Sequence, residues 1–290
     1  MKNVLSGLLS IMLLFISLTP GLCEEASTAD GPALSLLAIN VRKADCLLLR
    51  CGESAYLIDT GSKDSVDQVL RVLADQGVTR LDGIILTHTH LDHAGGLRDL
   101  LLSDLQVDQI YASRYYDKKD EKHPAVKALN KIGKKSDQYD DMEIVWLSSG
   151  DELPLDGGSL KVLGPIQESE TENCNSLVLL AEGGGGTMLL AGDMEFPEET
   201  ELLNAGLLTP VDVLKVGNHG EEDATGPNLI RAITPKVAVI STNTEDEPDT
   251  PHKRVMKLLA QYGVTVYQTQ DTANGVLVTI QGGEITAAGI

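Results

Sequence analysis

The sequence predicts an α+β fold of two mixed β-sheets packed face to face, with helices on their outer faces. Three observations carry this. Short apolar segments come in groups joined by turn residues, with helical patterns between the groups and no strict β-α alternation. Aromatic residues make up only 3% of the chain, so the core of one large domain must be built from Leu, Val, Ile and Ala. Histidines and carboxylates recur just after predicted strand ends, and in a sandwich such ends gather on one rim.

The elements follow in order. Leu34 to Asn40, Cys46 to Arg50 and Tyr56 to Ile58 are apolar runs separated by turn residues, an antiparallel start to a sheet; Asp59-Thr60-Gly61 ends the third. Val66, Val69, Leu70 and Leu73 keep helical spacing, and Gly77 stops that helix. Leu81 to Leu86 is a buried strand, and a helix is expected from Ala94 to Leu102. Gln109 to Ala112 is a strand, and Pro124 opens a helix carrying Val126, Leu129 and Ile132. Later strands are expected at Ile144–Leu147, Leu160–Leu163, Ser176–Ala181 and Met188–Ala191, with Gly183 to Gly186 as a hairpin tip. Pro197 opens a helix through Leu203, and strands follow at Val211–Val216 and Val237–Ile240. Thr250 suits an N-cap for a helix opened by Pro251, with Val255, Leu258 and Leu259 on one face. Val264–Tyr267 and Gly275–Ile280 complete the fold.

The densest chemical signal is Thr87-His88-Thr89-His90-Leu91-Asp92-His93, followed by Ala94-Gly95-Gly96. Three of the six histidines and one carboxylate fall within six residues at the end of a strand, where several side chains can aim at one point. Imidazole and carboxylate together suit zinc, iron or manganese; the plain alternative is a histidine-rich polar turn. Asp193, His219 and His252 also follow strands, in Ala191-Gly192-Asp193, Asn218-His219-Gly220 and Pro251-His252. They are candidates to converge with the histidine run.

The N-terminus has the layout of a bacterial signal peptide: Met1-Lys2-Asn3, an apolar run from Val4 to Leu18, then Thr19-Pro20-Gly21-Leu22-Cys23. Cleavage is expected after Cys23, giving a signal peptide at 1–23, a flexible leader at 24–33 and one folded domain at 34–290. The alternatives are an uncleaved anchor and a lipoprotein lipidated on Cys23, although Leu22 fits a lipobox poorly. No later stretch could span a bilayer, so the expectation is a secreted or extracytoplasmic chain without stable membrane insertion after cleavage. The formal charge of −20 argues against tight, nonspecific binding to nucleic acid or anionic lipid. Arg114 to Lys135, with eight Lys/Arg against Asp117, Asp120 and Glu121, is a basic island; a solvated helix face is its simpler reading. Cys46, Cys51 and Cys174 remain after cleavage, an odd set that makes no disulfide framework.

From about Leu34 to the C-terminus the sequence resembles the metallo-β-lactamase fold superfamily. Within it, the chain resembles the C-terminal hydrolase domains of ComEC-type DNA-uptake proteins and their stand-alone secreted relatives. The resemblance is carried by Leu57-Ile58-Asp59-Thr60-Gly61, His88 to Gly96, Asn173 to Leu179, Leu190 to Asp193, Leu214 to Gly220 and Pro251-His252. It implies an αββα four-layer sandwich with two divalent metals, zinc or manganese, on one rim. His88 and His90 would bind the first metal, Asp92 and His93 the second; Asp193 would bridge them, His252 would complete the second site, and Asp59 would support the histidines from behind. Three departures stand out. Asn173-Cys174-Asn175-Ser176 occupies the place of a third histidine, so the first site is expected to be weak or empty, with the Asn173 carbonyl or water filling in and Cys174 structural. A paired His-His-Gly is Asn218-His219-Gly220 here, and a Gly-Gln-Gly-Asp segment is Arg42-Lys43-Ala44-Asp45.

The resemblance favours a metal-dependent phosphodiesterase or nuclease. The metals would acidify a bound water toward neutrality, and the hydroxide would attack phosphorus. Asp92 would orient that nucleophile, His219 would donate to the leaving group, and Lys215 would neutralise phosphate charge. A satisfied loop histidine and a solvent-facing lysine are the alternatives for His219 and Lys215. Small anionic diesters are the expected substrates, with single-stranded nucleic acid as a further candidate. Hydrolysis of another ester, lactone or amide, and a degenerate metal-stabilised binding protein, are the competing readings.

Overall fold

The computed structural model describes residues 31–115, 124–132 and 142–290. The segment read as a signal peptide, most of the leader and much of the basic stretch lie outside the described residues. Strands β1 (Leu34–Ile39), β2 (Leu47–Cys51) and β3 (Ser54–Ile58) form the antiparallel start that the sequence predicts. Along β1, Leu34, Leu36 and Ala38 join one apolar cluster while Leu37 and Ile39 join another. Both faces of the strand are covered, so it reads as an unbroken apolar run.

Helix α1 (Val66–Asp75) follows, and Gly77 beyond it takes a φ of +69°, a left-handed conformation that costs a glycine little. The strand predicted at Leu81–Leu86 is two strands: β4 (Arg80–Leu81) leaves the main sheet and β5 (Gly83–Leu86) enters it parallel to β3. The helix predicted from Ala94 is likewise two, α2 (Leu91–Ala94) and α3 (Leu97–Leu101). At the break, a Cβ on Gly96 would lie 2.5 Å from the Thr60 carbonyl oxygen, so only glycine lets the loop after β3 press against the histidine segment. β6 (Gln106–Val107) pairs with β4, and β7 (Ile110–Ser113), α4 (Pro124–Ile132) and β8 (Ile144–Leu147) finish the first half.

The second half opens antiparallel with β9 (Glu152–Leu155), β10 (Gly158–Gly164), β11 (Val178–Gly183) and β12 (Gly186–Leu190). It continues parallel through α5 (Phe196–Asn204), β13 (Val213–Lys215), α6 (Pro227–Ile233), β14 (Val237–Ile240), α7 (Lys253–Gln261) and β15 (Thr265–Gln268). Helix α7 starts two residues later than predicted, with His252 rather than Thr250 at its N-cap. β16 (Gly275–Gln281) and β17 (Glu284–Gly289) return to the first sheet.

The first sheet runs β17-β16-β1-β2-β3-β5-β7-β8 and the second β15-β14-β13-β12-β11-β10-β9. Leu36, Leu49, Tyr56 and Ile85 of the first pack with Leu160, Leu179, Met188 and Val213 of the second. Val69, Leu73, Leu97 and Leu100 cover the outer side of the first sheet, and Leu202, Ile230, Val255 and Leu259 that of the second. The result is the expected helix–sheet–sheet–helix sandwich. Cys46, Cys51 and Cys174 are buried and free. Among the described residues no helix is long and apolar enough to cross a membrane.

Each sheet has a parallel half, and the carboxyl ends of parallel strands are where loops carry function. Asp59 follows β3, Thr87 and His88 follow β5, Asp193 follows β12, His219 follows β13 and Ser241 follows β14.

Candidate metal centre

Each histidine of the site is held by its outer nitrogen. His93 Nδ1 donates to Asp59 Oδ2 at 2.7 Å, and Asp59 also accepts the Thr87 amide (2.8 Å) and hydroxyl (2.7 Å). His219 Nδ1 donates to the Ser241 carbonyl at 3.0 Å. His88 Nδ1 lies 3.1 Å from the Thr87 hydroxyl and 3.2 Å from Ser176 Oγ, which in turn accepts the Asp193 amide at 3.2 Å. Such partners fix the ring and leave Nε2 free for a ligand.

The Nε2 atoms converge. His93 Nε2 lies 3.3 Å from His219 Nε2 and 3.2 Å from Asp193 Oδ2; Asp193 Oδ2 is also 3.8 Å from His88 Nε2 and 3.7 Å from His219 Nε2. Asp92 Oδ2 is 3.5 Å from His219 Nε2. Two sets therefore form, His88–His93–Asp193 and Asp92–His93–His219, each with ligand atoms within 4.8 Å of one another. A third set, Asp45–Asp59–His93, uses an Asp59 already engaged by Thr87 and the Nδ1 side of His93.

The electrostatics mark the centre as built for a cation. Burial opposes charge on His93, yet Asp193 and Asp59 hold its pKa well above the ordinary value. Burial, with the neighbouring His93 charge, pushes His88 well below its own. Asp193 and Asp92, despite burial, stay below the usual carboxylate range beside His93 and His219. Burial raises Asp59 above that range even with His93 alongside. His88 Nε2 and Asp193 Oδ1 are buried without a hydrogen-bond partner, a costly state that a metal ion would relieve. Two imidazole nitrogens at 3.3 Å need a proton or a cation between them. The donor set thus fits one or more divalent metals; histidine and carboxylate without a thiolate are compatible with zinc or manganese.

Several residues stand elsewhere than the sequence reading placed them. His90 is exposed, its ring centroid 4.7 Å from that of His88, and it joins neither set. His252 also joins neither: its backbone amide bonds the Gly220 carbonyl, and its Nε2 faces Glu222 at 3.9 Å in an acidic cavity with Glu221, Glu247 and Asp249. His219, expected to donate to a leaving group, has its Nε2 among the clustered ligand atoms. Lys215 neither faces substrate nor solvent. It is 0% exposed and paired with Asp45, which is itself buried, so its charge serves the interior. Asn173 donates from Nδ2 to Glu195 at 2.8 Å and leaves its Oδ1 buried and unpartnered. Cys174 is buried near Glu195, and burial raises its pKa, so it stays a protonated thiol.

Apart from Asp59, sequence reasoning missed the groups that orient the histidines. Thr87 and Ser176 lie within the motifs quoted above and were open to this reading; the Ser241 carbonyl carried no signal at all.

Comparison with known proteins agrees with this architecture. Residues 39–244 match the family described as the metallo-beta-lactamase superfamily. The chain is 32% identical over 208 residues to "ComE operon protein 3" of Bacillus subtilis (strain 168), an alignment covering 71% of this chain and 25% of that protein. The chain therefore spans about a quarter of that relative's length. Among solved structures, the metallo-beta-lactamase fold protein YhfI from Bacillus subtilis aligns with a TM-score of 0.53 at 13% identity, covering 89% of this chain and 100% of its own. A diphosphatase of the PhnP family aligns at 0.52 and 14%, covering 89% and 99%. At such identities the two structures speak for the fold. The sheet topology, the histidine-carboxylate rim and the family match agree: this chain belongs to the metallo-β-lactamase superfamily, with ComEC-like proteins among its relatives.

Proposed function

We propose that this metallohydrolase-family chain cleaves phosphodiesters. The observation that carries the reading is the convergence of His88, Asp92, His93, Asp193 and His219 on one rim, a donor set able to hold divalent metal for displacement at phosphorus. The names of relatives such as "Competence protein ComA" of Neisseria gonorrhoeae point toward nucleic-acid biology and support a phosphodiester over other esters.

In this reading His88 and Asp193 would contribute to holding one cation, and Asp92, His93 and His219 would hold another. Bound divalent cations supply Lewis acidity, acidifying water and offsetting charge on the phosphoryl oxygens. Asp92 is the ligand-set residue open to the cleft, with its side chain 35% exposed. Held below the usual carboxylate range, it is ionised and would accept a hydrogen bond from the attacking water. Asp59, Ser241, Thr87 and Ser176 keep the rings from turning, so no alignment is lost when substrate enters. The charge of −20 disfavours duplex DNA and favours a small diester or a short single strand. The signal-like stretch from Met1 to Cys23 supports an extracytoplasmic setting.

The test is bis-p-nitrophenyl phosphate turnover before and after chelation. Hydrolysis that disappears with chelator and returns with zinc or manganese supports the reading. Hydrolysis indifferent to chelation, or none under any metal, contradicts it.

A further inference from the structure

We propose that Lys43 is the anion-binding residue of this site, holding substrate phosphate across the mouth of the cleft, with Glu221 as its partner until substrate arrives. This rests on the phosphodiesterase reading and names what the site recognises. The loop between β1 and β2 is fixed at both ends. Arg42 takes a left-handed φ of +67°, unusual for a side-chain-bearing residue, and its guanidinium grips Asp246 through Nε at 2.8 Å and Nη2 at 2.5 Å. Asp45 donates its amide to the Asp92 carbonyl at 3.1 Å, and its side chain is locked on Lys215. Lys43 stands between these two anchors.

Its Nζ lies 2.7 Å from Glu221 Oε1. Glu221 is two residues beyond His219, and its amide bonds the Asn218 carbonyl at 2.8 Å. The ammonium thus reaches from the loop tied to Asp92 to the loop that carries His219, the two banks of the second ligand set. The Asp92 and Asp193 carboxylates both act on its charge. With Lys215 sealed inside, Lys43 is, among the described residues, the lysine placed to meet an anion at the cluster. A cavity of about 610 Å³ bordered by Arg42, Lys43, Ser62 and Gln68, with the carboxylates Asp64 and Asp246 also on its wall, opens beside it and has room for the uncharged part of a diester.

A partly exposed Lys–Glu pair contributes little to stability, so holding this pair at the cleft adds little to folding. The same pair exchanges readily. Phosphate offers the ammonium a charge-assisted hydrogen bond of equal kind, and Glu221, 34% exposed, returns to water. The consequence is selectivity for anionic over neutral esters.

The test compares wild type, Lys43→Met, Lys43→Arg and Glu221→Gln, each metal-loaded. Calorimetry reads inorganic phosphate binding, and kinetics reads the ratio of kcat/KM for bis-p-nitrophenyl phosphate to that for p-nitrophenyl acetate. Lys43→Met is expected to weaken phosphate and lower the ratio, each about tenfold, the scale of one hydrogen bond to a charged group. Lys43→Arg should keep most of both, and Glu221→Gln should tighten phosphate by freeing the ammonium. Equal phosphate affinity in wild type and Lys43→Met, no phosphate binding by wild type, or an equal loss on both substrates overturns the assignment. If neither substrate is turned over, the phosphodiesterase reading fails by itself, and the calorimetric comparison still decides the role of Lys43.

Discussion

His219→Ala is expected to lower metal content from about two ions per chain to about one, and to cut diester turnover by at least ~100-fold. Loss of an outer-shell partner alone typically costs ~10–100-fold in metal affinity or activity, and loss of a ligand costs more. His219 Nε2 stands 3.3 Å from His93 Nε2 and 3.5 Å from Asp92 Oδ2, and its other nitrogen is committed to Ser241. His252→Ala, by contrast, should retain both ions, because His252 faces Glu222 instead. Elemental analysis of the two variants side by side decides between them. Retention of both metals in His219→Ala with loss in His252→Ala would restore the assignment that the family resemblance implies.

Lys215→Met is expected to destabilise the fold by about 3–5 kcal/mol, because it strands a buried carboxylate. Asp45 and Lys215 are each no more than 1% exposed. Asp45 Oδ1 already lacks a hydrogen-bond partner and lies 3.9 Å from His219 Nδ1, so an uncompensated charge there would also pull on the His219 ring. The double variant Asp45→Asn/Lys215→Met should recover most of the loss, since removing both charges leaves nothing unpaired. Denaturant midpoints of the single and double variants measure this. A single variant as stable as wild type but impaired in substrate KM would return Lys215 to the cleft.

These two expectations show where the sequence is legible. The run from His88 to His93 announces itself because its ligands are neighbours in the chain and follow an apolar strand. Asp59 and Asp193 are legible for a related reason, each sitting where a strand stops. The placement of His219 in the cluster is not. It depends on left-handed backbone at Asn218 and His219, with φ of +43° and +52°, which turns Nε2 back toward His93. Neither residue is glycine, so the pattern carries no sign of that turn. Lys215 misleads because a lysine ending an apolar strand ordinarily faces water; the buried Asp45 that receives it is 170 positions away.

The fold divides in the same way. Strands buried on both faces, such as β1 and β5, read plainly as apolar runs. β9 carries Pro154 and alternates exposed with buried residues, and β17 is largely exposed at the sheet edge, so neither has the apolar run that marks its neighbours. Helix α6 spans seven residues, too short for a clear 3.6-residue period. The break in the helix predicted from Ala94 comes from tertiary fit, seen at Gly96 against Thr60.

The central claim is that the rim of His88, Asp92, His93, Asp193 and His219 is a metal centre that hydrolyses phosphodiesters. The most direct measurement is metal content by elemental analysis with bis-p-nitrophenyl phosphate turnover, for wild type and Asp193→Ala. Asp193 touches both ligand sets, so the account predicts about two ions per chain with turnover in wild type, and loss of both in the variant. A wild type that binds no metal and turns over nothing, even when zinc or manganese is supplied, would contradict it.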